Sequence, residues 1–274
     1  MKAGFFVETE IYVVSHKRIL LPNNDLYYPI QVGPKNERFP GFLQDDQGQN
    51  IANKNLHYCE LTAQYWAWKN RQAQIQGIVH YRRFFANHFG KNKVIKNQSF
   101  DQIITNHFIN QLLTNHQMIL PPTSHFFERN LWAHYRFQHQ LVGLSTTKRI
   151  IQQEFPTYWP AFEQVMFHQR QAHMYNMLIT YHKIFNNYSR WLFSVLEKVE
   201  KQVDISNFSA YEQRIFGFLS EFLLNVWIKR NQIDFVEVPL ILTEPRNYLT
   251  EACQFVARKC KLSSNNIKQR FVHF

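Results

Sequence analysis

Gly77-Ile78-Val79-His80-Tyr81-Arg82-Arg83-Phe84-Phe85 joins a short apolar run to a histidine, a tyrosine and two adjacent arginines. With Ile75, the positions Ile78 and Val79 suit a buried strand. An aromatic helix over residues 57–71 precedes it by only a few residues. Strand after helix predicts an α/β sheet, and the strand delivers Arg82 and Arg83 to its carboxyl end. In open α/β sheets ligands bind outside that edge. Two fixed guanidiniums there can hold a phosphate or pyrophosphate through paired N–H bonds. Charged residues at strand ends are also often merely solvated, and the pattern alone does not separate the two.

The chain has 274 residues, room for one large domain or one domain with a helical extension. Hydrophobic residues at 45% and aromatics at 16% supply a sizeable core and argue against disorder. The net charge of +11 favours anionic partners: nucleotides, nucleic acid or an anionic membrane surface. Cys59, Cys253 and Cys260 form no C-x-x-C pair, which suits a reducing compartment. Residues 1–7 are followed at once by Glu8 and Glu10, so no signal peptide is expected. No run of about 18 apolar residues predicts a membrane span. The expected setting is cytoplasmic, with peripheral attachment to the inner membrane face as an option.

Strands are expected at 11–17, at 27–32 with Pro29 limiting its pairing, at 118–120, at 173–179 interrupted by Asn176, and at 235–242. Asn53 or Asn55 is the expected cap of the 57–71 helix. Residues 87–99 read as a loop, and 100–115, 131–142, 146–154, 158–170 and 188–203 as helices. Ser209 and Glu212 have capping-box spacing before a further helix. That helix carries a line of Arg214, Gly217, Glu221 and Asn225 beside its apolar stripe. A mid-helix glycine costs about 1 kcal/mol relative to alanine, so Gly217 implies close approach of backbone or ligand. Asp45-Asp46, just before Gly48, can bind a metal or a sugar hydroxyl, or serve only as turn chemistry. His134 and His139 are five apart, wrong for two metal ligands on one helical face. Residues 1–245 read as a single domain and 246–274 as a basic amphipathic tail, which suits an anionic membrane or a docked terminal helix.

The eight glycines form neither G-x-G-x-x-G nor a P-loop, and G-x-S-x-G is missing. No zinc-finger, RNP or basic-zipper pattern supports nucleic-acid binding. None of the aspartates forms D-x-D.

Seven ordered blocks are IYVVSHK (11–17), YPIQVG (28–33), DQGQNI (46–51), NLHYCELTAQYWAWKN (55–70), GIVHYRRFF (77–85), MYNMLI (174–179) and DISNFSAYEQRIFGFLSEFLL (204–224). Together they resemble a bacterial polysaccharide-biosynthesis family long labelled a domain of unknown function. Its members are regarded as capsular, exopolysaccharide or lipopolysaccharide glycosyltransferases. The resemblance implies a GT-A-like α/β nucleotide-sugar-binding sheet flanked by helices, with a helix-rich, acceptor-binding C-terminal half. It implies transfer of a sugar, with galactose or galactofuranose as the guess, from a UDP-sugar to a glycan or lipid-linked glycan acceptor.

A usual GT-A enzyme ends its central strand in D-x-D, which holds Mn²⁺ or Mg²⁺ against the pyrophosphate. Here the comparable strand ends in His80-Tyr81-Arg82-Arg83, so the arginines are expected to supply that charge without a required metal. Asp45 and Asp46 keep a Mn²⁺- or Mg²⁺-dependent variant open. Inverting transfer needs a base for the acceptor hydroxyl; Glu221 is the first candidate, because Gly217 leaves space beside it, with His80, Glu60 and His139 behind it. Ser15, His16, Tyr81, Arg82, Arg83 and Arg214 are expected on the donor side. Asp45, Asp46, Asn50, Glu60, His139, Asn176 and Gly217 are expected around the sugars. Two other classes stay open: a non-catalytic membrane-associated scaffold of polysaccharide assembly, and a nucleic-acid-binding protein, for which no motif speaks.

Overall fold

The computed structural model of the chain describes residues 8–22, 24–94 and 100–244. It opens with β1 (Thr9–Ser15), buried at every position, then β2 (Tyr27–Gln31) and β3 (Leu43–Gln44). Helices α1 (Asn55–Tyr58) and α2 (Leu61–Asn70) lead to β4 (Ile75–His80) and β5 (Arg83–Phe85). Next come β6 (Lys93–Val94), α3 (Asn106–Asn115), β7 (Met118–Leu120) and β8 (Ser124–His125). A helical stretch follows: α4 (Leu131–Gln138), α5 (Leu141–Glu154) and α6 (Trp159–His168). The chain continues through β9 (Gln171–Ala172), β10 (Leu178–Tyr181), α7 (His182–Glu200), α8 (Ile215–Asn231), β11 (Phe235–Glu237) and β12 (Leu240–Leu242).

The main sheet has the order β11-β7-β10-β4-β1-β2-β3. β3, β2, β1 and β4 run parallel, and β10 lies antiparallel between β4 and β7. Continuous apolar runs suit such strands because both faces are covered. On β1, Tyr12 and Val14 face the larger core built with α2 and α4 to α8. Ile11 and Val13 face a second core built with α3, β5 and β12. Gly77 sits opposite Ile179, and a Cβ there would lie 2.8 Å from the Ile179 side chain, so the glycine admits β10 at close range.

The chain steps from β1 outward to β2 and β3, then returns through α1 and α2 to place β4 on the other side of β1. This reversal leaves a crevice at the carboxyl ends of β1 and β4, where α/β sheets bind ligands.

Several expected elements differ from the structure for identifiable reasons. The 57–71 helix is broken at Cys59, whose φ is +53°, and Glu60. Asn55 is not an N-cap: its amide donates to Cys59 O (2.8 Å) and Thr62 Oγ1 (3.0 Å), bridging that break. The expected 100–115 helix begins only at Asn106, capped by Thr105, because Ile103 bridges to Ala86. The 87–99 loop contains β6, which pairs with β12. His139 and Gln140 divide the expected 131–142 helix, and α5 and α7 start earlier than their apolar stripes suggest. The 173–179 strand begins only at Leu178, because Tyr175 and Asn176 have φ of +77° and +51°. The 235–242 strand splits at Val238-Pro239: β11 pairs with β7, and β12 turns to β5 and β6. Ser209 Oγ accepts from Glu212 N (3.3 Å), but the Glu212 carboxylate accepts from Gln140 N (3.2 Å), so the box is half formed. Beyond Pro29, β2 pairs with β3 only through Ile30 and Gln31. The expected tail at 246–274 lies outside the described residues. Among the described residues no helix is long and apolar enough to cross a membrane.

Candidate active site

A cavity of about 540 Å³ opens at the carboxyl ends of β1, β2 and β4. β1 ends at Ser15, whose hydroxyl is used locally: it donates to Lys17 O (2.6 Å) and accepts from Lys17 N (3.2 Å). His16 meets the edge of Tyr81, with ring centroids 5.4 Å apart. Burial, then the charges of Lys17, Arg82 and Arg214, hold His16 below the ordinary imidazole value.

β4 ends at His80, whose Nε2–H donates to Tyr175 O at 2.7 Å. A carbonyl can only accept, so the neutral ring keeps its lone pair on Nδ1. Burial is the main force lowering the His80 pKa, with Arg83 and Arg214 adding to it against Glu60. Arg82 follows in the β4–β5 turn, and Arg83 opens β5 opposite His80. Arg82 Nε pairs with Glu244 Oε2 as an ion pair (3.0 Å), and Arg83 Cζ lies 4.4 Å from the centre of the Tyr175 ring.

The opposite wall comes from the α1–α2 break and α8. Arg214 Nε donates to Cys59 Sγ at 3.1 Å. Burial, with Glu60 adding, pushes the Cys59 thiol up to about 11, so it stays protonated. Glu60 accepts from Asn176 Nδ2 at 2.6 Å. Glu221 accepts from the backbone N–H of Tyr175 at 2.8 Å. Burial raises the Glu221 carboxyl to about 7, helped by Glu60 and opposed by the Tyr175 N–H, Arg83 and Arg214. Ser15, His16, Glu60, His80, Tyr81, Arg82, Arg83, Arg214 and Glu221 therefore line one cavity.

The other expected site residues lie elsewhere. Asp45 is fully buried and accepts from Lys35 Nζ (2.6 Å) and Thr62 Oγ1 (2.7 Å). Asp46 pairs with Lys35 and Arg38, each at 3.1 Å; burial opposes them, but these partners hold its carboxyl below the ordinary range. Asn50 bonds the backbone of Asp46, Gly48 and Ala52, which is turn chemistry. His139 stacks on Phe218 with centroids 4.0 Å apart. Gly217 faces Cys59 rather than Glu221: a Cβ there would stand 3.5 Å from Cys59 Sγ. All of its neighbours would lie at ordinary van der Waals distance from that Cβ, so the close approach expected of a mid-helix glycine is not found at Gly217. Asn176 stands behind the cavity wall, bonded to Glu60 and Gly217 O.

The Asp45-Asp46 pair does not fit a divalent cation, because an ammonium and a guanidinium already occupy its oxygens. Among the described residues no group of three or more His, Cys, Asp or Glu side chains is arranged to hold a metal.

Sequence reading overlooked several lining residues. Gly33 and Pro34, read as a strand stop, form the β2 end of the cavity, and Asn55, read as a cap, lines it beside Leu56. Tyr175 was hidden in an apolar run, where its only signal was the neighbouring asparagine, a residue that tolerates left-handed backbone.

Residues 10–232 match the family model described as Domain of unknown function (DUF4422). The chain belongs to this family. No curated protein matches it. Among solved structures, this DUF4422 chain is similar to the WbbM bifunctional glycosyltransferase in its apo form, with a TM-score of 0.79 and 27% identity. The likeness covers 87% of this chain and 46% of that one, so the chain spans about half the length of the solved protein. Its α/β sheet flanked by helices is thus the fold of a glycosyltransferase structure.

Proposed function

We propose that the chain is a glycosyltransferase that uses a nucleoside-diphosphate sugar. The observation that carries this reading is Glu221, raised to about 7, in the same cavity as Arg82, Arg83 and Arg214. A leaving nucleoside diphosphate gains negative charge as the glycosidic bond breaks, and fixed guanidiniums stabilise that charge. An attacking hydroxyl loses a proton, and a carboxylate titrating near neutrality is matched to that work.

In this reading the diphosphate rests on Arg82 and Arg83, and the nucleoside lies toward Ser15 and His16 at the end of β1. Glu221 takes the acceptor proton as the acceptor oxygen attacks the anomeric carbon. The electron pair of the old bond leaves with the diphosphate. His80, neutral with a free Nδ1 lone pair, is the second group able to accept a proton there. The family match and the likeness to WbbM support the transferase class. UDP-galactose and UDP-galactofuranose are the first donors to try, with lipid-linked glycans of surface polysaccharides as acceptors. In this reading the enzyme works in the cytoplasm, residues 246–274 meet an anionic membrane, and arginine charge acts in place of a metal.

The test is calorimetric titration with UDP and UDP-sugars, with Mn²⁺ and with EDTA. Binding that survives EDTA is expected. Binding only with metal overturns the arginine assignment, and no nucleotide binding returns the chain to a scaffold role.

A further inference from the structure

Tyr175 and Asn176 are consecutive non-glycine residues with left-handed backbones, φ +77° and +51°. Such conformations cost on the order of 1–3 kcal/mol each and persist only where the surroundings impose them. Here the imposing contacts are the side chain of Asn176, which is 3% exposed. Its amide donates to Glu60 Oε1 (2.6 Å) and Gly217 O (3.2 Å), and its Oδ1 accepts from Ser220 Oγ (2.9 Å).

The bend turns the two backbone groups of Tyr175 to different tasks. Its N–H donates to Glu221 Oε1 (2.8 Å), and its carbonyl accepts from His80 Nε2 (2.7 Å). Its ring lies against the Arg83 guanidinium. One two-residue turn therefore touches Glu60 from the α1–α2 break, Glu221 from α8, His80 from β4 and Arg83 from β5.

We infer that this turn is the positioning device of the site: it aims Glu221 as a base and selects the Nε2–H tautomer of His80, with Asn176 as the positioning side chain. The inference rests on the transferase reading for its purpose, but its geometry does not depend on any donor. An N–H bond to a carboxylate favours the ionised form, and a carbonyl partner fixes an imidazole tautomer. The charged and titratable groups around Glu221 are Glu60, Cys59, His80, Arg83 and Arg214, and the same turn orders three of them. Asparagine fits both demands: it tolerates the left-handed backbone and offers a neutral donor to Glu60.

Asn176→Gly keeps the backbone freedom and deletes the amide; Asn176→Ala deletes both. In the ligand-free full chain, NMR titration of the Glu221 carboxyl and the ¹⁵N shifts of His80 report the device without a donor. The expected result in Asn176→Gly is a Glu221 midpoint above the wild-type one, since the Tyr175 N–H is withdrawn, and His80 shifts that move toward mixed tautomers. With an active donor, kcat falls about 100-fold from misplacement while donor KM stays within about twofold. The acidic limb of the kcat profile moves to higher pH. Unmoved Glu221 and His80 signals in a folded Asn176→Gly protein overturn the inference; if Asn176→Ala fails to fold, the glycine variant decides alone. Should wild type transfer from no donor while the signals move, the transferase reading falls and the positioning role stands.

Discussion

Arg82 Nε and Glu244 Oε2 form an ion pair at 3.0 Å, so the first of the two adjacent arginines meets the cavity already paired. Both side chains are about half exposed, at 47% and 50%. Such a pair contributes about 0–1 kcal/mol. Glu244 also lies 3.7 Å from Lys17 Nζ, so one carboxylate damps two cations at the rim. A diphosphate brings more charge and a bidentate geometry, and displaces it at small cost. Glu244→Gln is expected to tighten UDP binding about twofold to fivefold, the equivalent of that small pair energy. The gain vanishes in an Arg82→Ala background, which a calorimetric double-mutant cycle reads directly. Unchanged affinity in Glu244→Gln would place the phosphates away from Arg82.

Arg83 is the less exposed of the pair and is backed by the Tyr175 ring, with Cζ 4.4 Å from its centre. A guanidinium held against an aromatic face loses less freedom on binding an anion than one in solvent. Arg83→Ala is expected to weaken UDP by about 10- to 100-fold, the range for losing one charge-assisted contact of 1.5–3 kcal/mol. Arg83→Lys recovers only part of this, because an ammonium cannot reproduce the fork. Full UDP affinity in both Arg82→Ala and Arg83→Ala removes the pyrophosphate assignment.

Glu221 connects pH to both turnover and stability. Its carboxyl titrates near 7 in the fold, above its value of 4.5 in an unfolded chain. As a base it must be ionised, so kcat is expected to fall tenfold per unit as pH drops below about 7. Glu221→Gln keeps an oxygen for the Tyr175 N–H and is expected to lower kcat by about 10²- to 10⁴-fold with little change in donor KM. For stability the sign is opposite to that of a salt-bridged acid. Between about 4.5 and 7 the native state binds more protons than the unfolded one, so this group's contribution is present at low pH and lost as pH rises through 7. Glu221→Gln is therefore expected to melt higher than wild type at pH 8 and to lose that advantage at pH 4.5. Equal melting at both pH values shows that Glu221 is well solvated.

The end of β4 was readable because a buried strand has to surface somewhere, and His80-Tyr81-Arg82-Arg83 marks the place. Ser15 and His16 followed from the same logic on β1. The Cys59 break was not readable: it depends on the Asn55 amide and on α8 arriving at Gly217, more than 150 residues later. Nor was the Tyr175-Asn176 turn, whose left-handed backbone is imposed by Glu60, Gly217 and Ser220 from distant segments. Asp45 and Asp46 had the composition of a metal or sugar site. Their partners Lys35 and Arg38 are close in sequence, but a flexible cation's choice of acid leaves no periodic trace. Pro239 did carry a legible signal, since a residue without N–H interrupts a ladder, and there the two halves of 235–242 part.

The amino end of β1 holds a buried ion pair between Glu10 and Arg71. Glu10 is 2% exposed and accepts from Tyr12 OH and from Arg71 Nε at 2.8 Å, with a second Arg71 contact through Nη2. A buried carboxylate stripped of its cation is left with an unrepaid desolvation cost, and breaking such pairs costs about 3–5 kcal/mol. Arg71 is itself about one-third exposed, so the lower end of that range is expected for Arg71→Ala in urea unfolding. Replacing both members, Glu10→Leu with Arg71→Met, removes charge and partner together and is expected to recover most of the loss. Ser15 and the cavity lie at the other end of the same strand, so the folded Arg71→Ala protein should bind UDP as wild type does. A loss under about 1 kcal/mol for Arg71→Ala would mean that Glu10 reaches water when its partner is gone, in conflict with its burial.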